Sequence, residues 1–167
     1  YSWERKIPKE LHRFFDKAWM ENNILRGHGP LCARYEAHNS KGFRSEGDSP
    51  AFMHQQDVGL RNLEHPGYGG WGGRYAPNGT FFQDAQDTVR TETSGRATVW
   101  RWRPAFQNEF QARMDWCVRD FDGANHKPVA VYSGDASGQV LSVHASPGET
   151  VYLDASGSTD PDGDALS

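Results

Sequence analysis

"HPGYGGWGGRY", residues 65–75, sets five glycines among two tyrosines, a tryptophan, a histidine and an arginine, with no aliphatic side chain. Glycine loses more conformational freedom on ordering than any other residue, so the stretch suits neither a helix interior nor a core strand. It reads as a loop loaded with flat rings. Aromatic faces offer large contact area with only two side-chain torsions to freeze, which makes Tyr68, Trp71 and Tyr75 candidates to lie against a sugar or a base. The same rings suit the covering of the domain's own core edge, and the two uses are compatible. "APNG", residues 76–79, closes the loop with a turn.

Upstream, "RSEGDSPAF", residues 44–52, places Glu46 and Asp48 on either side of a glycine and runs into a helix start, with Ser49 as cap and Pro50 in the first turn. A carboxylate at that point caps the helix or ligates a hard cation such as calcium, so Asp48 is the candidate metal ligand. Glu46 is a general acid or base if it faces a pocket, and solvated surface otherwise. Further upstream His28 sits between Gly27 and Gly29. Glycines on both sides let the backbone approach a ligand, so His28 joins the candidate binding residues, the plainer alternative being a loop histidine without a role.

Two other segments carry helical period. In "IPKELHRFFDKAWMENN", residues 7–23, Leu11, Phe14, Phe15, Ala18 and Trp19 fall on one stripe and predict a continuous helix. In "RPAFQNEFQARMDWCVRDFDG", residues 103–123, Pro104 starts a helix whose apolar side is Phe106, Phe110, Met114, Cys117, Val118 and Phe121, with Gly123 beyond its end. Cys32 and Cys117 lie too far apart for a CxxC metal pair; they form a disulfide or stay free, and the helix-face position of Cys117 favours a free buried thiol.

After Gly123 the material changes. "PVAVYSG", "QVLSVHA" and "ETVYLDAS" are short β-rich runs at roughly ten-residue spacing, the pattern of an antiparallel sandwich. The expected division is therefore residues 1–124 and 125–167, the second part holding only the first strands of a sandwich. "LDASGSTDPDGD", residues 153–164, alternates Asp160, Asp162 and Asp164 with Pro161 and Gly163, which suits either calcium or a polar turn.

Hydrophobic residues are 36% of the chain and aromatics 13%, so rings outweigh aliphatics in any core, and the mix also suits sugar binding. A formal charge of −4 with no basic stripe argues against nucleic acid or an anionic membrane as partner. No apolar run approaches the roughly 20 residues of a membrane helix. GxSxG, GxxxxGKS and HExxH motifs are absent, which removes those hydrolase, nucleotide and zinc classes. Tyr1 opens the chain without a start methionine, as expected of a piece of a longer protein.

"EGDSPAFMHQQDVGLRNLEHPGYGGWGGRY", residues 46–75, resembles the distal part of the nucleoside-hydrolase-like domain of bacterial proteins labelled cellulose-binding, and the tail from "NHKPVAVYSGD" to "VYLDASGSTDPDGDALS" is similar to the opening of the Ig-like domain that follows it there. The resemblance implies an α/β fold, a fragment of an open-sheet domain with its cleft at the carboxyl ends of the strands, followed by the first strands of an Ig-like sandwich. It implies calcium as cofactor, Asp48 being the position that matches the family's distal metal aspartate. Gly47 stands where those enzymes carry a leaving-group histidine. The expected whole is a secreted or periplasmic hydrolase of N- or O-glycosidic bonds acting on carbohydrate or nucleoside, of which this piece alone is inactive. The alternatives are a non-catalytic polysaccharide-binding protein and a cell-surface interaction module.

Overall fold

The computed structural model describes residues 7–35 and 49–166. The chain forms two compact units, Tyr1–Asp122 and Gly123–Ser167.

The first unit opens not with one helix but with three unlike pieces: a 3-10 segment Lys9–Phe15, helix α1 (Lys17–Met20) and a π turn Glu21–Leu25. Asp16 causes the break. Its backbone is extended and its carboxylate accepts the Trp19 N–H at 2.7 Å, so a side chain takes the place of the helical ladder and starts a new helix. Of the expected stripe, Leu11 and Phe14 are buried and Trp19 is half-buried, while Ala18 is exposed. Leu11 and Phe14 join Ile7, Ala97 and Trp100 in one apolar cluster; Met20, Ile24 and Met114 form a second, and Trp19 packs against both.

Helix α2 (Ser49–His54) stands where the Ser-Pro signal placed it. Two antiparallel hairpins follow. Strands β1 (Tyr75–Asn78) and β2 (Phe81–Asp84) turn at Gly79, which holds φ +62°. Strands β3 (Asp87–Val89) and β4 (Glu92–Ser94) form the second pair. Among the described residues these hairpins are the sheets of the unit, so the open sheet expected between helices is not the form its strands take here.

Helices α3 (Ala97–Trp100) and α4 (Arg103–Trp116) complete the unit. Pro104 sits in the first turn of α4 as expected, but the buried face only partly overlaps the expected one. Arg103, Gln107 and Met114 are buried and Phe106 and Phe110 are half-buried, whereas Cys117, Val118 and Phe121 lie exposed beyond the helix. Gln107 earns its place by donating from Nε2 to the Phe14 carbonyl, and burial pushes the Arg103 guanidinium down to about 10. Cys32 and Cys117 are free thiols; Cys117 is exposed rather than buried, because α4 ends before it and its Sγ turns back to the Arg113 carbonyl at 3.3 Å.

In the second unit the first β-rich run lies alongside residues 154–159, at and just beyond the end of the third. Val129 and Thr159 exchange backbone hydrogen bonds of 2.8 and 3.1 Å, Val131 N–H donates to Ser158 Oγ at 3.0 Å, and Ser133 N–H to the Asp154 carbonyl at 2.8 Å. The pairing stays an isolated bridge, and the middle run leaves Val140 and Val143 exposed, so the described residues hold no sandwich ladder. The aspartate-rich segment is a turn: Asp160 Oδ1 accepts the Asp162 N–H at 2.8 Å, and Asp162 in turn holds His126 Nδ1 at 2.9 Å.

Candidate functional site

The glycine-aromatic segment is a tight, packed turn. Gly70 and Gly73 exchange both backbone hydrogen bonds at 3.0 Å, which leaves Trp71 and Gly72 at the apex. Two glycines are dictated by what lies beneath. A Cβ on Gly70 would stand 2.9 Å from Asn62 Cγ, and one on Gly73, already at φ +113°, would stand 3.0 Å from Thr98 Oγ1. Glycine here serves close packing, and the turn is seated on Asn62 from one side and on α3 from the other.

Asn62 is 1% exposed and is the seat's centre. Its Nδ2 donates to the His54 carbonyl at the end of α2, while its Oδ1 and His54 Nδ1 are buried without a hydrogen-bond partner among the described residues. Tyr75 meets the His54 ring edge-on at 4.9 Å, and its hydroxyl points at the Gly72 carbonyl at 3.4 Å. Tyr75 and Trp71 are thus half-buried, each offering part of its ring. Tyr68 is 63% exposed and stacks on His65 at 4.6 Å. Of the three rings singled out in the sequence, Trp71 and Tyr75 flank the seated turn, whereas Tyr68 stacks on His65.

Arg74, at the end of the loop, is clamped. Its Nε and Nη2 donate to Asp87 Oδ1 at 3.0 and 2.6 Å, Nη2 also reaches the Gln86 carbonyl at 2.9 Å, and Arg101 Nη1 donates to Asp87 Oδ2 at 3.0 Å. Burial alone would raise the Asp87 carboxyl, but hydrogen bonds from Arg74 and Arg101 and their positive charge outweigh it and hold the group below its ordinary value. The clamp ties the loop to β3 and α3. Nothing in the sequence marks Asn62, Thr98 or Asp87, since each matters only through a partner eight or more residues away; an Arg and an Asp thirteen apart carry no local signal.

His28 is buried, and its hydrogen bonds run elsewhere. Nε2 pairs with Asp115 Oδ1 of α4 at 2.8 Å and its backbone N–H meets Cys32 Sγ at 3.2 Å, which fastens the Gly29–Arg34 turn to α4. Asp48 lies outside the described residues. Among the described residues, no group of three or more His, Cys, Asp or Glu side chains is placed to hold a metal ion, and no helix is long and apolar enough to cross a membrane.

Comparison with known proteins agrees with the resemblance read from the sequence. Residues 2–75, which end on the glycine-aromatic loop, match the family described as cellulose-binding Sde182, nucleoside hydrolase-like domain. The chain is similar to a solved structure of a nucleoside hydrolase-related hypothetical protein from Saccharophagus degradans that is associated with carbohydrate metabolism. The two share 35% identity and a TM-score of 0.66 over 90% of this chain, and the likeness supports a nucleoside-hydrolase-like fold. This chain spans 38% of that protein's length. No curated protein matches it.

Proposed function

We propose that the chain binds carbohydrate, with Tyr68, Trp71 and Tyr75 as the ring surface. The observation that carries the reading is the doubly bonded Gly70–Gly73 turn, seated on Asn62 and Thr98, which holds Trp71 at its apex, with Tyr68 exposed earlier in the same loop. A pyranose presents apolar C–H faces that pack on flat rings, and a surface fixed before binding loses little entropy on capture. The charge of −4 suits a neutral ligand better than an anionic one. The cellulose-binding description of the matched family and the carbohydrate association of the structural neighbour support the same class of ligand.

Hydrolysis of a glycosidic bond is the second reading, supported by the neighbour's description as nucleoside hydrolase-related. In it Asp48 supplies one oxygen to calcium, which takes six to eight, so further ligands come from a longer, exported protein. His28, committed to Asp115, then serves the scaffold and not the ligand. A sandwich-type second domain belongs to this proposal, supported by the Val129–Thr159 pairing.

Calorimetry separates the two readings. Cello-oligosaccharides and nucleosides are titrated, with and without calcium, into the longer protein that carries this chain, for wild type, Trp71→Ala and Asp48→Ala. Binding that weakens roughly tenfold or more in Trp71→Ala, about what one stacked ring contributes, supports the ring site. Calcium binding that disappears in Asp48→Ala supports the metal. Saccharide affinity unchanged in Trp71→Ala overturns the proposal.

A further inference from the structure

The register of the first hairpin carries the ring surface beyond the loop. Cross-strand partners share a face, as do alternate residues along a strand. With Tyr75 opposite Asp84 and Pro77 opposite Phe82, these four side chains occupy one face of the β1–β2 hairpin, and Ala76, Asn78, Phe81 and Gln83 occupy the other. The hydrogen bond from Asn78 Nδ2 to Gln83 Oε1, 2.9 Å, joins two members of the second face and agrees with the assignment.

Tyr75 is itself one of the loop's rings. From it the strand advances roughly 7 Å over two residues to Pro77, and Phe82 stands directly across at about 5 Å. Phe82 is 56% exposed, and Phe81, on the opposite face of the same strand, is 61% exposed. An isolated two-stranded hairpin is marginal in water, but this one is anchored at its base. Ala85 N–H donates to the Arg74 carbonyl at 2.9 Å, and Arg74 is clamped on Asp87. The hairpin therefore stands out from a fixed root with Tyr75, Pro77 and Phe82 in line on one side.

We propose that this face is a second saccharide subsite, continuous with the loop, in which Phe82 stacks on a sugar ring that the loop does not reach. The ligand is an extended chain of neutral pyranoses, because a row of flat apolar surfaces starting at Tyr75 matches consecutive C–H faces of such a chain. Exposed Asp84, on the same face at the hairpin root, is an acceptor for hydroxyl groups. The proposal rests on the ring reading of the loop, and adds to it a dependence on chain length.

The test titrates cello-oligosaccharides from biose to hexaose into the full chain by calorimetry, for wild type, Phe82→Ala, Phe81→Ala and Trp71→Ala, with thermal melts to confirm that the exposed-ring variants fold. Phe82→Ala weakens the hexaose about tenfold and leaves the biose unchanged, Phe81→Ala on the opposite face leaves both unchanged, and Trp71→Ala weakens both. If Trp71→Ala weakens both lengths while Phe82→Ala alters neither, the subsite is wrong and the loop reading stands. If wild type binds no oligosaccharide or Trp71→Ala is silent, the loop reading falls and takes the subsite with it. Equal losses in Phe81→Ala and Phe82→Ala, or a wild-type dimer that Phe82→Ala dissociates, overturn the face assignment in favour of general stickiness or a contact between copies.

Discussion

Gly70→Ala is the sharpest probe of how the ring loop is held. Gly70 lies outside the left-handed region, so alanine is free to adopt its backbone and the cost is steric. The new methyl would meet Asn62 Cγ at 2.9 Å, Oδ1 at 3.2 Å and Cβ at 3.3 Å, against roughly 3.5–4.0 Å for comfortable carbon contacts. Asn62 cannot swing aside cheaply, because it is buried and its Nδ2 holds the His54 carbonyl. Overpacking of this kind costs about 1–3 kcal/mol. Asn62→Ala forfeits that hydrogen bond but also removes an Oδ1 with no partner among the described residues, for a net loss of about 1 kcal/mol. In the double variant the methyl takes the space of the amide, so the two costs fail to add by about 1–2 kcal/mol. All six tryptophans precede residue 123, which makes fluorescence during urea unfolding a report on the first unit. A loss of about 2 kcal/mol moves the midpoint by about 1 M. Strict additivity, or a Gly70→Ala midpoint within about 0.2 M of wild type, would refute the seating of the turn on Asn62.

Three further outcomes follow from the same contacts. Asp87→Asn costs about 1–2 kcal/mol by urea unfolding, less than breaking a fully buried pair because Arg101 keeps access to water. Since the folded carboxyl of Asp87 is held low, its contribution is complete above the ordinary carboxylate range and is lost as pH falls through the folded value; a wild-type minus Asp87→Asn difference that stays constant down through that range would contradict the clamp. Trp100→Ala costs about 3–5 kcal/mol, whereas Trp100→Phe costs about 1 kcal/mol, because the buried Nε1 has no acceptor to lose among the described residues; thermal melts of the two variants should differ widely. His28→Ala lowers stability by about 1 kcal/mol through the lost hydrogen bond to Asp115, which keeps Arg119 Nε at 3.6 Å, while leaving saccharide affinity intact, which calorimetry on the folded variant checks.

Local chemistry was legible where one residue type forces one geometry. Ser49-Pro50 marked α2, Pro104 marked α4 and residues 76–79 marked a turn, though not the strands that flank it, because caps, fixed φ and left-handed turns depend on near neighbours alone. The first helix was misread because apolar period has no term for the Asp16 carboxylate, which outcompetes the ladder for the Trp19 N–H. The face of α4 was misread for the same kind of reason. Arg103 and Gln107 look like surface residues, yet both are buried, Gln107 by meeting the Phe14 carbonyl 93 positions away. Gly70 and Gly73 were read as loop formers and are found as close packing, since Asn62 and Thr98 beneath them are visible only in three dimensions. The second unit's runs alternate as strands should but lie largely without ladder partners, so sequence pattern ran ahead of pairing.

The most direct measurement follows the indole N–H signals of the tryptophans while cellohexaose is added. Trp71, at the apex of the turn, shifts with saturation, and Trp100, 1% exposed in the core, does not move. A titration in which Trp71 stays still, whether or not other signals respond, contradicts the ring loop as the carbohydrate site.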